Sequence, residues 1–194
     1  MKKIFLGLAL VAGTFTFAQK TSTSTASSSP VRFGVKAGLN ISTISNSELN
    51  SKAGFYGGVF ANIPVAQDFS VQPEVLYSGM GGKAKSNSSA KLNTDYIAVP
   101  VMLQYNLIPN LYVEAGPQFG FLISAKAKSN SASVDVKDNL KTFDFGIGLG
   151  AGYYFTQNIG VNLRYTAGLS EVPKYNNGDA ARNGVFQVGL AYKF

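Results

Sequence analysis

The 194-residue chain contains no cysteine, no histidine and no tryptophan. Without Cys there are no disulfides, thiolate metal sites or thiol nucleophiles. Without His the usual catalytic triads, most zinc sites and the side chain best suited to moving protons near neutral pH are excluded. Neither a catalytic constellation nor a cofactor or metal site is expected. The apolar stretch Ile4–Ala12 is far short of the roughly 20 residues a spanning helix requires. Charge is sparse, with 17 Lys and Arg against 10 Asp and Glu, a balance of +7. No Lys/Arg-rich run or basic helix gathers that excess, so it reads as solvated loop lysines and not as a nucleic-acid surface. What the chain does have is 21 Gly, 14 Phe and 10 Tyr.

Those residues are ordered. In Phe143–Phe155, FDFGIGLGAGYYF, the positions Phe143, Phe145, Ile147, Leu149, Ala151, Tyr153 and Phe155 share one parity. Asp144, Gly146, Gly148, Gly150, Gly152 and Tyr154 share the other. Period-two alternation over thirteen residues is the mark of a strand with two chemically different faces. A soluble sandwich strand would put charged or hydroxyl side chains on its second face. Here that face is nearly all glycine, as if little room were left beside it.

From the start, Lys2 and Lys3 precede the apolar Ile4–Ala12 and the small-residue ending Thr16-Phe17-Ala18. This pattern predicts a secretory signal over 1–18, cleaved after Ala18. Residues 19–32 form a leader in which eight of the nine residues from Thr21 to Ser29 are Ser or Thr, a composition that cannot bury a core. From 33 to 194 the alternation recurs eight times, at about Phe33–Ile41, Phe55–Ile63, Phe69–Gly79, Tyr96–Leu107, Leu111–Ala125, Phe143–Phe155, Ile159–Leu169 and Val185–Phe194. The connections alternate too. Ala66–Asp68, Ile108–Asn110 and Thr156–Asn158 are tight turns, whereas Ser42–Gly54, Met80–Asp95, Lys126–Thr142 and Ser170–Gly184 are longer and polar.

Both a lipocalin-like soluble barrel and a membrane barrel alternate in this way. The composition of the faces separates them. The polar parity carries Gly, Asn and Gln with few charges, a poor surface for water but a suitable lining for a narrow lumen. The apolar parity carries aromatics near strand ends, at Phe33, Phe55, Phe69, Tyr77, Tyr105, Phe143, Tyr153, Phe155, Tyr192 and Phe194, like the two interfacial girdles of outer-membrane barrels. The expected fold is all-β, an eight-stranded antiparallel up-and-down transmembrane β-barrel with short periplasmic turns and longer extracellular loops.

On the inward parity, Lys36, Glu74, Glu114 and Arg164 lie three to five residues from the short-turn end of their strands. Two acids and two bases at similar depth predict a neutral cluster plugging the lumen, because isolated charges there would be costly. The alternative is an ion or proton path. Glu74 and Glu114 as a glycosidase-like pair would require a cleft that a filled lumen does not offer. Asp144 and Lys193 fall near opposite rims, outside the cluster. Pro73, Pro100 and Pro117 interrupt three successive strands, where a closed barrel has no edge to hide a missing N–H, and predict a region of bulges.

The segments YIAVPVMLQYN (Tyr96–Asn106) and LYVEAGPQFGFLISAK (Leu111–Lys126), with DFGIGLGAGYYF and the final FQVGLAYKF, resemble the PorT-like outer membrane β-barrel proteins of Bacteroidetes. The resemblance spans about Phe33 to Phe194 and concerns wall construction, not an active site. It implies a barrel inserted among outer-membrane lipids by the outer-membrane assembly machinery, with Phe194 similar to the carboxy-terminal signal that machinery reads. The expected role is a non-enzymatic structural or interaction barrel in the bacterial outer membrane, its loops offered to protein partners that the sequence does not specify. A narrow pore for small solutes, or an accessory of a protein secretion system, are the alternatives.

Overall fold

The computed structural model of the chain describes residues 30–45, 49–84, 91–129, 132–171 and 181–194. The expected signal segment 1–18 and the leader as far as residue 29 lie outside the described residues. Among the described residues the strands are β1 (Arg32–Ile44), β2 (Leu49–Asn50), β3 (Lys52–Pro64), β4 (Phe69–Ala84), β5 (Lys91–Ile108), β6 (Leu111–Ser129), β7 (Ala132–Asp135), β8 (Phe143–Tyr154), β9 (Ile159–Glu171) and β10 (Arg182–Lys193). All except β2 and β7 form the wall, each antiparallel to the wall strands before and after it, and β10 returns to β1. The sheet closes as an eight-stranded up-and-down barrel, so no wall strand is left as an edge. Arg32, one residue before the expected start of the barrel, fastens the seam by donating to the Phe194 carbonyl and, at 2.8 Å, to the Gln157 carbonyl.

The turns expected to be tight are tight. Val65 N–H donates to the Phe69 carbonyl, and Phe155 N–H to the Ile159 carbonyl, both at 2.9 Å. At the other end the barrel is taller than the alternation predicts. β4 runs to Ala84, β5 starts at Lys91 and β6 runs to Ser129, while β2 pairs with the end of β4 and β7 with the end of β6. Parts of all four expected long loops are therefore strand. Alternation is written into a sequence only where the two faces of a strand meet different surroundings. Above the apolar band the faces exchange character, with Met80, Leu122 and Ala125 packed inward and lysines outward, and the register shift at Asp95/Tyr96 breaks the phase of the alternation although the hydrogen-bonded ladder continues.

The barrel is inverted in polarity relative to a water-soluble one. Leu149 and Leu39 are each 61 % exposed, whereas Arg164 and Glu74 are each 1 % exposed. Exposed large apolar side chains and buried charges are the informative departures from a soluble pattern. The outward aromatics form two bands. One comprises Phe69 and Tyr105, with ring centroids 4.8 Å apart, and the Tyr153–Phe155 and Tyr192–Phe194 pairs. The other comprises Phe55 and Tyr77, 5.3 Å apart, and Phe143 with Phe121, 5.7 Å apart.

The proline expectation is corrected in one respect. Pro73 lies opposite Val101, and Leu76 opposite Ala98, in a single register; Pro100–Gln118 and Leu103–Ala115 likewise share one register. The ladder thus lapses beside the prolines without slipping. The register shifts of the wall lie elsewhere, at Asp95/Tyr96, Asn106/Ile108 and Arg182/Gly184. A missing N–H removes a bond but adds no residue, so the pairing resumes in phase. Gly116 accommodates the approach of the strands there, since a Cβ on it would collide with the Val101 carbonyl.

Candidate functional site

The lumen is filled by side chains from every wall strand, and its centre is ionic. Lys36 comes from β1, Glu74 from β4, Glu114 from β6 and Arg164 from β9. The structure brings all four together. Glu74 Oε1 accepts hydrogen bonds from Lys36 Nζ, Gln72 Nε2 and Arg164 Nη2, each at 2.8 Å. Glu74 Oε2 accepts from Arg164 Nη1 at 2.8 Å, which makes the guanidinium–carboxylate contact bidentate. Arg164 Nε donates to Glu114 Oε1 at 2.7 Å, and Nη2 lies 2.6 Å from the same oxygen. Glu114 Oε2 accepts from Gln104 Nε2 at 2.9 Å. The four charges sum to zero, and their side chains are between 0 and 1 % exposed. Paired, multiply hydrogen-bonded geometry of this kind is what lets ions be withdrawn from water.

The glycine face of β8 is the space this network occupies. Gly150 is the cross-strand partner of both Glu114 and Arg164, so carboxylate and guanidinium meet over a residue without a side chain. A Cβ there would come within 3.0 Å of Glu114 Oε1 and 2.6 Å of the Leu163 carbonyl. Gly152 lies under the Tyr112 ring, which a Cβ would penetrate. The guanidinium also occupies the ground between the two carboxylates, so they offer no cleft for a substrate.

Neutral layers flank the ionic one. Toward the tight turns, Phe60, Tyr112, Tyr154 and Ala191 form a buried cluster, and Asn62 Nδ2 donates to Ser70 Oγ and Gln104 Oε1 at 3.0 and 2.9 Å. Lys36 Nζ stands 5.6 Å from the centre of the Phe60 ring. Toward the long loops, Asn162 donates to Tyr56 Oη and Gln187 to Asn40 Oδ1, both at 2.9 Å. Above these, Met80, Tyr96, Leu122, Ala125, Leu140 and Val185 pack together. A cavity of about 10 Å³ remains beside Tyr96, Asp144 and Asn183, room for one water.

Asp144 accepts from Asn183 Nδ2 at 2.7 Å near the long-loop end. Lys193 sits 4.0 Å above the Tyr154 ring near the tight-turn rim. Neither belongs to the ionic layer. Sequence reasoning missed Gln72 and Gln104 as partners of the carboxylates, although both stand on the inward parity. Phe60, an aromatic on the otherwise polar parity of β3, is also a lumen residue, 3 % exposed. Among the described residues no group of three or more His, Cys, Asp or Glu side chains is placed to hold a metal ion.

Comparison with curated proteins finds no match. Among solved structures, the attachment invasion locus protein Ail of Yersinia pestis is 15 % identical with a TM-score of 0.53, covering 86 % of this chain and 100 % of that one. Neisserial surface protein A is 16 % identical with a TM-score of 0.55, covering 86 % of this chain and 98 % of that one. At such identity the likeness concerns the fold, which these outer-membrane barrels share with this chain. The model of the outer membrane protein β-barrel domain matches residues 17–173. The chain belongs to the outer membrane protein β-barrel domain family.

Proposed function

We propose that this protein is a non-enzymatic structural or interaction barrel of the outer membrane whose lumen is sealed. The observation that carries the reading is the neutral Lys36–Glu74–Arg164–Glu114 network, enclosed between the Phe60/Tyr112/Tyr154 layer and the Met80/Tyr96/Leu122 layer. An ion crossing the barrel would have to break charge-assisted hydrogen bonds among fully buried groups, where unpaired charges are costly. Among the described residues no nucleophile–base pair faces this lumen, and both carboxylates are committed to Arg164. Function then belongs to the outer surface and to the strands and loops that rise above the membrane. Within the family we place the chain among the PorT-like barrels, on the Tyr96–Asn106 and Leu111–Lys126 segments, and we infer that a signal over 1–18 exports it.

Planar-bilayer recording of the refolded barrel tests the seal. The expected trace for the unaltered protein is flat, without discrete openings. Steps of uniform conductance that change in size on Glu74→Ala would replace this reading with the narrow pore.

A further inference from the structure

Above the aromatic band formed by Phe55 and Tyr77, the outer wall of the barrel carries an uncommon arrangement of charge. Lys83 of β4 is the cross-strand partner of Lys91 of β5, and Lys91 is the cross-strand partner of Lys128 of β6. Three exposed lysines thus stand in one row across adjacent strands. Like charges directly opposite each other destabilise a sheet, so the row needs a counter-charge. Asp135, opposite Lys126 on β7, offsets part of it. Asp95, the partner of Gly79 two steps further down the strands, is a second carboxylate, and its Oδ1 accepts the Tyr77 hydroxyl at 2.8 Å.

Beside the row is a trough of about 450 Å³ on the outer face, between Lys52 on one side and Asn93, Asp95, Lys126 and Lys128 on the other. Gly54 of β3 and Gly79 of β4, neither with a side chain to fill it, lie in its floor. Lys52 reaches across it and donates to the Met80 carbonyl at 2.8 Å. Burial against the wall lowers the Lys52 pKa below the usual lysine value; Asp95 opposes this, while Lys128, Lys91 and Lys83 push it further down. Among the described residues Lys52, Lys83, Lys91, Lys126 and Lys128 thus outnumber the nearby carboxylates Asp95 and Asp135.

We propose that this trough binds the phosphate of an outer-leaflet lipid headgroup. The lysines supply several point-charge donors suited to a phosphate, and an anion among them would relieve their mutual repulsion. The lower edge of the trough decides for a lipid over a soluble anion. Phe55 lines it, Tyr77 adjoins it, and directly below runs the exposed apolar wall of the barrel. A phosphate held on the lysines would let the attached acyl chains lie down that wall. The proposal relies on the membrane placement and not on the sealed lumen.

The test reconstitutes the full barrel in vesicles of phosphatidylcholine with an equal fraction of phosphatidic acid and counts the lipids that remain bound on native mass spectrometry. The wild type is expected to retain phosphatidic acid over phosphatidylcholine by roughly tenfold or more, the scale set by a few lysines at an anionic surface. Lys52→Gln/Lys126→Gln/Lys128→Gln, which removes the lysines that line the trough, should bring that ratio near one, with heat-modifiable gel mobility showing the variant folded. An unchanged ratio in the folded variant would overturn the proposal and leave the barrel assignment intact. Displacement of the bound lipid by millimolar inorganic phosphate would also overturn it, because the site would then be one for a soluble anion.

Discussion

Replacing Arg164 with Gln is expected to cost about 3–5 kcal/mol of barrel stability, the penalty for leaving a buried charge without its partner. The guanidinium is the only group that touches both carboxylates among the hydrogen bonds of the described lumen. Without it, Glu74 retains Lys36 and Gln72, but Glu114 retains only Gln104, and the interior carries a net charge of −1. A second substitution sharpens the expectation. Glu114→Gln in the Arg164→Gln background leaves the neutral Lys36–Glu74 pair, so the double variant should be more stable than Arg164→Gln alone. Urea unfolding of the barrel from lipid vesicles, followed by gel mobility, measures both. If the second change adds to the loss, the four groups do not act as a neutral unit.

The outward face carries the other large effect. Leu149→Lys is expected to destabilise by about 2–4 kcal/mol, the cost of a cation near the bilayer midplane on a barrel wall. Leu149 lies midway along its face between Phe143 and Phe155, and it is 61 % exposed. The control is Val134→Lys on β7, above the aromatic band and 60 % exposed. Its expected change is within about 0.5 kcal/mol, as for an ordinary surface site. Equal effects at two equally exposed apolar positions would mean that both face the same solvent.

The parts of this molecule that could be read in its sequence are those where two solvents meet across a strand. Phe143–Phe155 is legible because lipid lies on one side of β8 and a crowded lumen on the other. Its glycines, first noticed as a shortage of side chains, mark where Glu114, Arg164 and Tyr112 are fitted. The ionic layer is legible for a related reason, since few charges occur on the inward parity and their depth can be counted from the tight turns. The amide partners Gln72 and Gln104 were hidden by their commonness on that face. Phe60 was hidden because an aromatic ring in a polar lumen breaks the binary pattern without breaking the strand. The upper ends of β4, β5 and β6 escape the alternation because the apolar side chains Met80, Leu122 and Ala125 turn inward there and lysines outward, across a register shift at Asp95/Tyr96, and the lysine row emerges only from the cross-strand partners. Single-strand periodicity carries no register between strands, and register is what places Lys83, Lys91 and Lys128 side by side.

The native absence of tryptophan gives a direct test of which face meets the lipid. Single-Trp variants at Leu149, Leu163 and Leu190, each on an exposed apolar position of a different strand, can be folded into vesicles containing lipid brominated along its acyl chains. Strong quenching by the brominated chains, with little quenching by aqueous iodide, is the predicted result at all three positions. Emission quenched by iodide and untouched by brominated lipid would contradict a barrel whose apolar parity faces the membrane.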